Sequence, residues 1–183
     1  MTTLLEFERV ALRRGRRLLF ENLDLRLEPG NALQVAGPNG SGKSSLIRLA
    51  AGLLRAERGR VERSRLALAD DAIAFDRELP LERALSFWNP SVDAALNALG
   101  LTGLNAVPVR WLSSGQLKRA TLARVAASGA PLWLLDEPLN GLDANGTERL
   151  AKVVAQHLAS GGGVLAASHQ ALPGEWRRLE LTA

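Results

Sequence analysis

The sequence has no cysteine and no tyrosine, and only four phenylalanines, four tryptophans and one methionine among its 183 residues. Without cysteine there is no disulfide, thiolate nucleophile or thiolate metal ligand, and the chain suits a reducing compartment. The shortage of aromatics leaves little on which to stack bases, which argues against a single-strand nucleic-acid binder. Hydrophobic residues make up 46% of the chain, yet no run approaches the ~18–20 apolar residues of a membrane span. The opening "MTTLLEFERV" carries two acids and an arginine where a signal peptide needs an uninterrupted apolar stretch. The expectation is a cytosolic chain, one domain by its length.

Charge is not scarce. The formal net charge is +4 and the sequence pI about 10.5. Much of the excess is arginine, clustered in "RRGRR" at 13–17. A solvated hairpin turning at Gly15 accounts for that cluster, and an anionic membrane surface or nucleic acid would also suit it.

Residues 4–12 and 22–28 alternate polar and apolar with the period of half-buried strands, joined by the arginine-rich turn. "ALQVAG" (32–37) is a short apolar run ending in glycine, the pattern of a buried strand. Leu46, Ile47, Leu49, Ala50, Leu53 and Leu54 follow as a helical stripe. "RLALA" (65–69), "PLWLLDE" (131–137) and "GGVLAASH" (162–169) read as further strands, and "WRRLELT" (176–182) as an edge strand. Helices are expected at 80–99, broken by Pro90, at about 115–127, and along Leu150, Val153, Val154 and Leu158. Strands alternating with helices imply an α/β fold around a largely parallel sheet, with a mostly helical block at about 70–127 interrupting the alternation.

"GPNGSGKS" (37–44) fits G-x-x-x-x-G-K-[ST] after a strand and before a helix, the context that the pattern requires. Gly37, Gly40 and Gly42 let successive backbone N–H groups converge on phosphate oxygens, and the following helix points its positive end at the same anion. Lys43 supplies a mobile charge for the β- and γ-phosphates and Ser44 a hydroxyl for Mg²⁺. Pro38, Asn39, Ser41 and Ser45 complete the expected phosphate-binding segment. In "WLLDE" a buried strand delivers Asp136 and Glu137 to the carboxyl edge of the sheet, where open α/β sheets bind ligands. Asp136 is the second candidate Mg²⁺ residue, and Glu137 the candidate for orienting an attacking water. Together the two segments imply ATP, or another nucleoside triphosphate, with Mg²⁺.

"LSSGQLKR" (112–119) is open to two readings. Ser113 and Gln116 have the spacing of a capping box; a glycine and an extra serine at that cap invite a functional explanation.

At this point the chain resembles the nucleotide-binding subunits of ABC transporters over nearly its whole length. Gly37–Ser44 looks like the Walker A loop and Leu132–Glu137 like Walker B with its catalytic glutamate. "LSSGQ" (112–116) resembles the family signature, with Ser114 in place of a glycine; "NGLD" (140–143) resembles the D-loop and "SH" (168–169) the switch histidine. The resemblance implies an ABC-type P-loop NTPase with a mostly parallel core sheet, an antiparallel β edge and a helical insertion. Its core would be about 1–69 and 128–183, and its insertion about 70–127. It implies that Ser113, Ser114, Gly115 and Gln116 face the ATP of a second copy in a sandwich dimer. Asp143 would lie at that interface, and Glu137 and His169 would be catalytic. His157, beside an apolar stripe, reads as structural.

Two positions depart from the family. Arg14 stands where an aromatic usually stacks on the adenine, and a guanidinium plane can take that role. The glutamine usual between core and insertion is missing: Ala72 aligns with it, and Asp70 or Asp71 is the candidate substitute.

Within the family, the short chain, "ALSFW" (84–88), "LDANG" (142–146) and "SHQAL" (168–172) resemble the ATPase subunits of bacterial cytochrome c maturation systems, often called haem exporters. That likeness implies two integral membrane subunits as partners and a peripheral location on the cytoplasmic side of the bacterial inner membrane. It implies no haem binding by this chain itself. The rival readings are another small ABC exporter, an ABC ATPase acting on nucleic acid, and a module that holds ATP without hydrolysis.

Overall fold

The computed structural model describes residues 3–70, 75–86 and 92–181. The first hairpin is formed by β1 (Leu5–Arg14) and β2 (Arg17–Leu27), antiparallel and turning through Gly15. A strand that the sequence pattern did not suggest, β4 (Arg58–Arg63), pairs with the other side of β1 and completes a three-stranded antiparallel sheet ordered β2-β1-β4. Only Val61 of β4 is apolar, so the strand has no hydrophobic alternation to read. Glycine is required at position 59, where φ is +85 and a Cβ would lie 2.4 Å from the Glu8 carbonyl oxygen.

The second sheet is parallel and has five strands. These are β3 (Ala32–Ala36), β5 (Leu66–Ala69), β6 (Leu132–Asp136), β7 (Gly163–Ala167) and β8 (Arg177–Glu180), in the order β5-β6-β7-β3-β8. Strands β3, β6 and β7 are buried along their whole length, as strands covered on both faces must be. Alternate side chains serve two cores. Leu132, Leu134, Leu165 and Ala167 pack with Leu33, Val35, the antiparallel sheet and α1 (Lys43–Ala50). Trp133, Leu135, Val164 and Ala166 pack with the helices of the other face. Truncating one of these leucines to alanine costs about 2–5 kcal/mol by lost transfer energy and cavity.

Helix α1 is shorter than its apolar stripe. It stops at Ala50 because Gly52 turns left-handed, φ +80, leaving Leu53 62% exposed. Between β5 and β6 lie α2 (Leu81–Ser86), α3 (Asp93–Ala98), a 3-10 turn at Val109–Trp111 and α4 (Ser114–Ala127). Pro90, Asp71 and Ala72 lie outside the described residues. Arg119 of α4 donates to the Leu99 and Gly100 carbonyls at 3.2 and 3.0 Å, tying α4 to the end of α3. Helix α5 (Ala144–Ala159) returns to β7. Among the described residues no helix is long and apolar enough to cross a membrane.

Candidate functional site

The strand order puts β7 between β3 and β6, so three carboxyl ends open on one crevice. The loop after β3 carries Gly37, φ +143, where a Cβ would sit 2.4 Å from the Leu181 carbonyl oxygen and 2.8 Å from Ser41 Oγ. Only glycine fits that approach. Gly40 (φ +82) and Gly42 (φ +106) bend the loop into α1, whose N-terminus has no side-chain cap and leaves its amides to an anion. Lys43 Nζ donates back to the carbonyls of Gly37 at 2.8 Å and Pro38 at 3.1 Å, which holds the ammonium over the loop.

Ser44 Oγ donates to Asp136 Oδ1 at 2.9 Å. Burial pushes the Asp136 carboxyl above its usual range; the Ser44 hydroxyl lowers it, the Asp70 and Glu137 charges raise it, and Arg48 lowers it. A hydroxyl beside a buried, crowded carboxylate is a hard oxygen pair in need of positive charge, and Mg²⁺ fits it. Asp70, 4% exposed, is engaged by Arg48 Nε at 3.1 Å. Arg48 lies one helical turn after Ser44 and therefore on the same side of α1.

Glu137 follows Asp136 with φ +45, a left-handed conformation rare outside glycine, and its N–H donates to the Ala167 carbonyl at 2.8 Å. That turn swings its carboxylate toward the end of β7, where Oε2 lies 2.8 Å from His169 Nδ1. Lys118 of α4, a buried residue that the sequence pattern did not single out, donates to the Asp136 carbonyl at 3.4 Å. A buried lysine and a half-exposed arginine paired with a buried carboxylate look like surface charge in a bare sequence, so periodicity singles out neither Lys118 nor Arg48.

A cavity of about 350 Å³ lies over the loop, lined by Arg14, Leu19, Asn39, Gly40, Gly42, Lys43, Ser44, Ser45 and Glu137. Arg14 thus reaches the cavity despite its distance in sequence. Ser113, Ser114, Gly115, Gln116 and Asp143 do not line it. Ser113 caps α4: its Oγ accepts from Gln116 N at 3.2 Å while Gln116 Oε1 accepts from Ser113 N at 2.8 Å, a full capping box. A Cβ on Gly115 would lie 2.9 Å from the Gly141 carbonyl oxygen, so this helix start is packed against the loop before α5. Asp143 caps α5, its Oδ1 accepting from Gly146 N at 2.7 Å. His157 stands away from the crevice, stacked on Trp133 with ring centroids 3.7 Å apart.

Residues 20–140 match the family described as ABC transporter. The chain belongs to that family. It is an ABC-type ATP hydrolase, and its parallel and antiparallel sheets with flanking helices form the P-loop NTPase fold anticipated from the sequence. Similar proteins include the cytochrome c biogenesis ATP-binding export protein CcmA of Sphingopyxis alaskensis, 57% identical over 94% of this chain and 93% of that protein. CcmA of Novosphingobium aromaticivorans is 56% identical over 89% of this chain and 87% of its own length. Among solved structures, an ATP-binding subunit of an ABC transporter superposes with a TM-score of 0.82 at 22% identity, covering 91% of this chain and 80% of that one. A nucleotide-free ATP-binding cassette gives 0.76 at 21% identity, covering 92% and 82%. These two matches concern the fold alone.

Proposed function

We propose that this chain is the ATP-hydrolysing subunit that powers haem export for cytochrome c biogenesis, working as two copies on two integral membrane subunits at the cytoplasmic face of a bacterial inner membrane. The names of its relatives support the biological assignment. The observation that carries the chemistry is the meeting of Ser44 with Asp136, and of Glu137 with His169, beside one phosphate loop.

In this reading the loop amides, the start of α1 and Lys43 bind the phosphates of ATP, and Arg14 covers the base. Ser44 and Asp136 hold Mg²⁺, which supplies neutralisation of phosphate charge. Glu137 orients the attacking water and accepts its proton. His169 fixes the Glu137 carboxylate and faces the γ-phosphate. Ser113 and the amides at the start of α4 close over the ATP of the second copy, so the capping box and the functional reading of "LSSGQ" are one device: a helix N-terminus that an anion completes. Asp143 sits where the copies communicate, the helical segment at about 70–127 meets the membrane subunits, and haem is handled by those subunits.

Complementation tests the shared site. Lys43→Ala and Ser113→Arg chains are each expected to be inactive alone, whereas their mixture rebuilds one good loop facing one good signature. Phosphate release from the mixture is the readout. A demonstrated heterodimer without activity would sink the arrangement.

A further inference from the structure

Trp111 is 72% exposed, more than any other exposed large hydrophobic among the described residues. An indole carries 150–250 Å² of buriable surface, so this exposure is costly unless something covers it. Its backbone is firmly held. Trp111 N donates to the Pro108 carbonyl at 2.9 Å, Val109 N and Arg110 N donate to the carbonyls of Leu79 and Arg77 at 3.0 Å each, and Val109 is buried. The ring is therefore presented, not loosely carried. Leu112 and Ser113 follow in extended conformation, so Trp111 stands two residues from the cap of α4, about 7 Å of chain. That reach is comparable to the run of a triphosphate from its γ-phosphorus toward the ribose. Among the described residues, the cavity over the phosphate loop has no aromatic in its lining; Arg14 and Leu19 line it from the first hairpin.

We propose that Trp111 stacks in trans on the purine of a nucleoside triphosphate bound in the cavity of a second copy, so that the base lies between the Arg14 guanidinium of one copy and the Trp111 indole of the other. The inference rests on the two-copy reading above. A guanidinium and an indole are complementary partners for the two faces of one base, and stacking accepts any purine because every base has a π-face.

The test uses the full chain carrying Glu137→Gln, and reads pairing by sedimentation velocity against Mg²⁺–ATP concentration. Adding Trp111→Ala should raise the ATP needed for half-maximal pairing about tenfold (~1.4 kcal/mol), and Trp111→Phe should restore most of the loss. Inorganic tripolyphosphate, which has no base, should give the same response with or without Trp111→Ala. Mg²⁺–ATP should also quench a part of the tryptophan fluorescence that Trp111→Phe lacks. Equal ATP requirements for parent and Trp111→Ala would overturn the inference, as would a Trp111 signal that responds to the membrane subunits and not to nucleotide. Failure of the parent itself to pair at saturating Mg²⁺–ATP would instead strike the two-copy reading, and this inference with it.

Discussion

His169 Nδ1 and Glu137 Oε2 lie 2.8 Å apart, although one follows β7 and the other β6. The contact exists because Glu137 leaves its strand in a left-handed turn while its N–H is held by Ala167. Glu137→Gln keeps the shape and removes the base. It should bind ATP normally and lose at least about 100-fold in hydrolysis, within the usual worth of a positioned general base. His169→Ala should also slow phosphate release, without weakening nucleotide binding to the same degree. Normal turnover in either variant would remove that residue from the chemistry.

Asp136 is a carboxylate that the fold holds at a cost. Because burial raises its folded pKa, the protein binds more protons at this group than the unfolded chain does, and stability drains away as pH rises through the folded value. Asp136→Asn removes that cost while leaving an oxygen for Ser44. Without ligand at pH 7 the variant should melt higher by a few degrees, about 1 kcal/mol, and should lose Mg²⁺-dependent hydrolysis. A lower melting temperature would contradict the assignment of strain to this carboxylate.

The sign is opposite for His157. Burial against Trp133 lowers its pKa, and the hydrogen bond to the Pro131 carbonyl offsets that only in part. Between that lowered value and the unfolded value of about 6.5 the unfolded chain binds more protons, so stability rises with pH. Urea midpoints should fall as pH is taken from 7 to 5, and His157→Phe should flatten the slope while keeping a ring on Trp133. Parallel slopes would show that His157 does not carry the effect.

The pair formed by Arg48 and Asp70 is lopsided, 39% and 5% exposed at the side chain. Losing Asp70 leaves an arginine that can turn to water; losing Arg48 takes a positive charge away from two neighbouring buried carboxylates, Asp70 and Asp136. Arg48→Ala should therefore cost more than Asp70→Ala, about 2 kcal/mol against about 1, discounting the full value of a buried pair for the exposed partner. Denaturant titration of both variants decides the order, and the reverse ranking would sink the argument.

Those features explain what the sequence could and could not disclose. The phosphate loop and the acids of β6 were legible because glycine spacing, an apolar run and paired carboxylates each carry their own physics. Strand β4 was not, since an edge strand with a single valine has no inside to advertise. The end of α1 was hidden because Leu53 and Leu54 continue its periodicity after Gly52 has already turned the chain. Lys118 and Arg48 owe their places to tertiary neighbours, and periodicity does not reveal neighbours. Of the two candidates for the missing glutamine, Asp70 is occupied with Arg48, and Asp71 lies outside the described residues.

Gly37 begins the phosphate loop, and the wall behind it is Leu181, whose N–H also donates to the Ala36 carbonyl at 2.8 Å. The motif that appears first along the chain is thus among the last to be finished in space. During synthesis, "GPNGSGKS" would emerge long before its backing strand, so a nascent chain can present the loop without its rear support. Nucleotide binding should mature late in folding, and small changes near residue 181 should be felt at the phosphates although they lie outside every recognised motif.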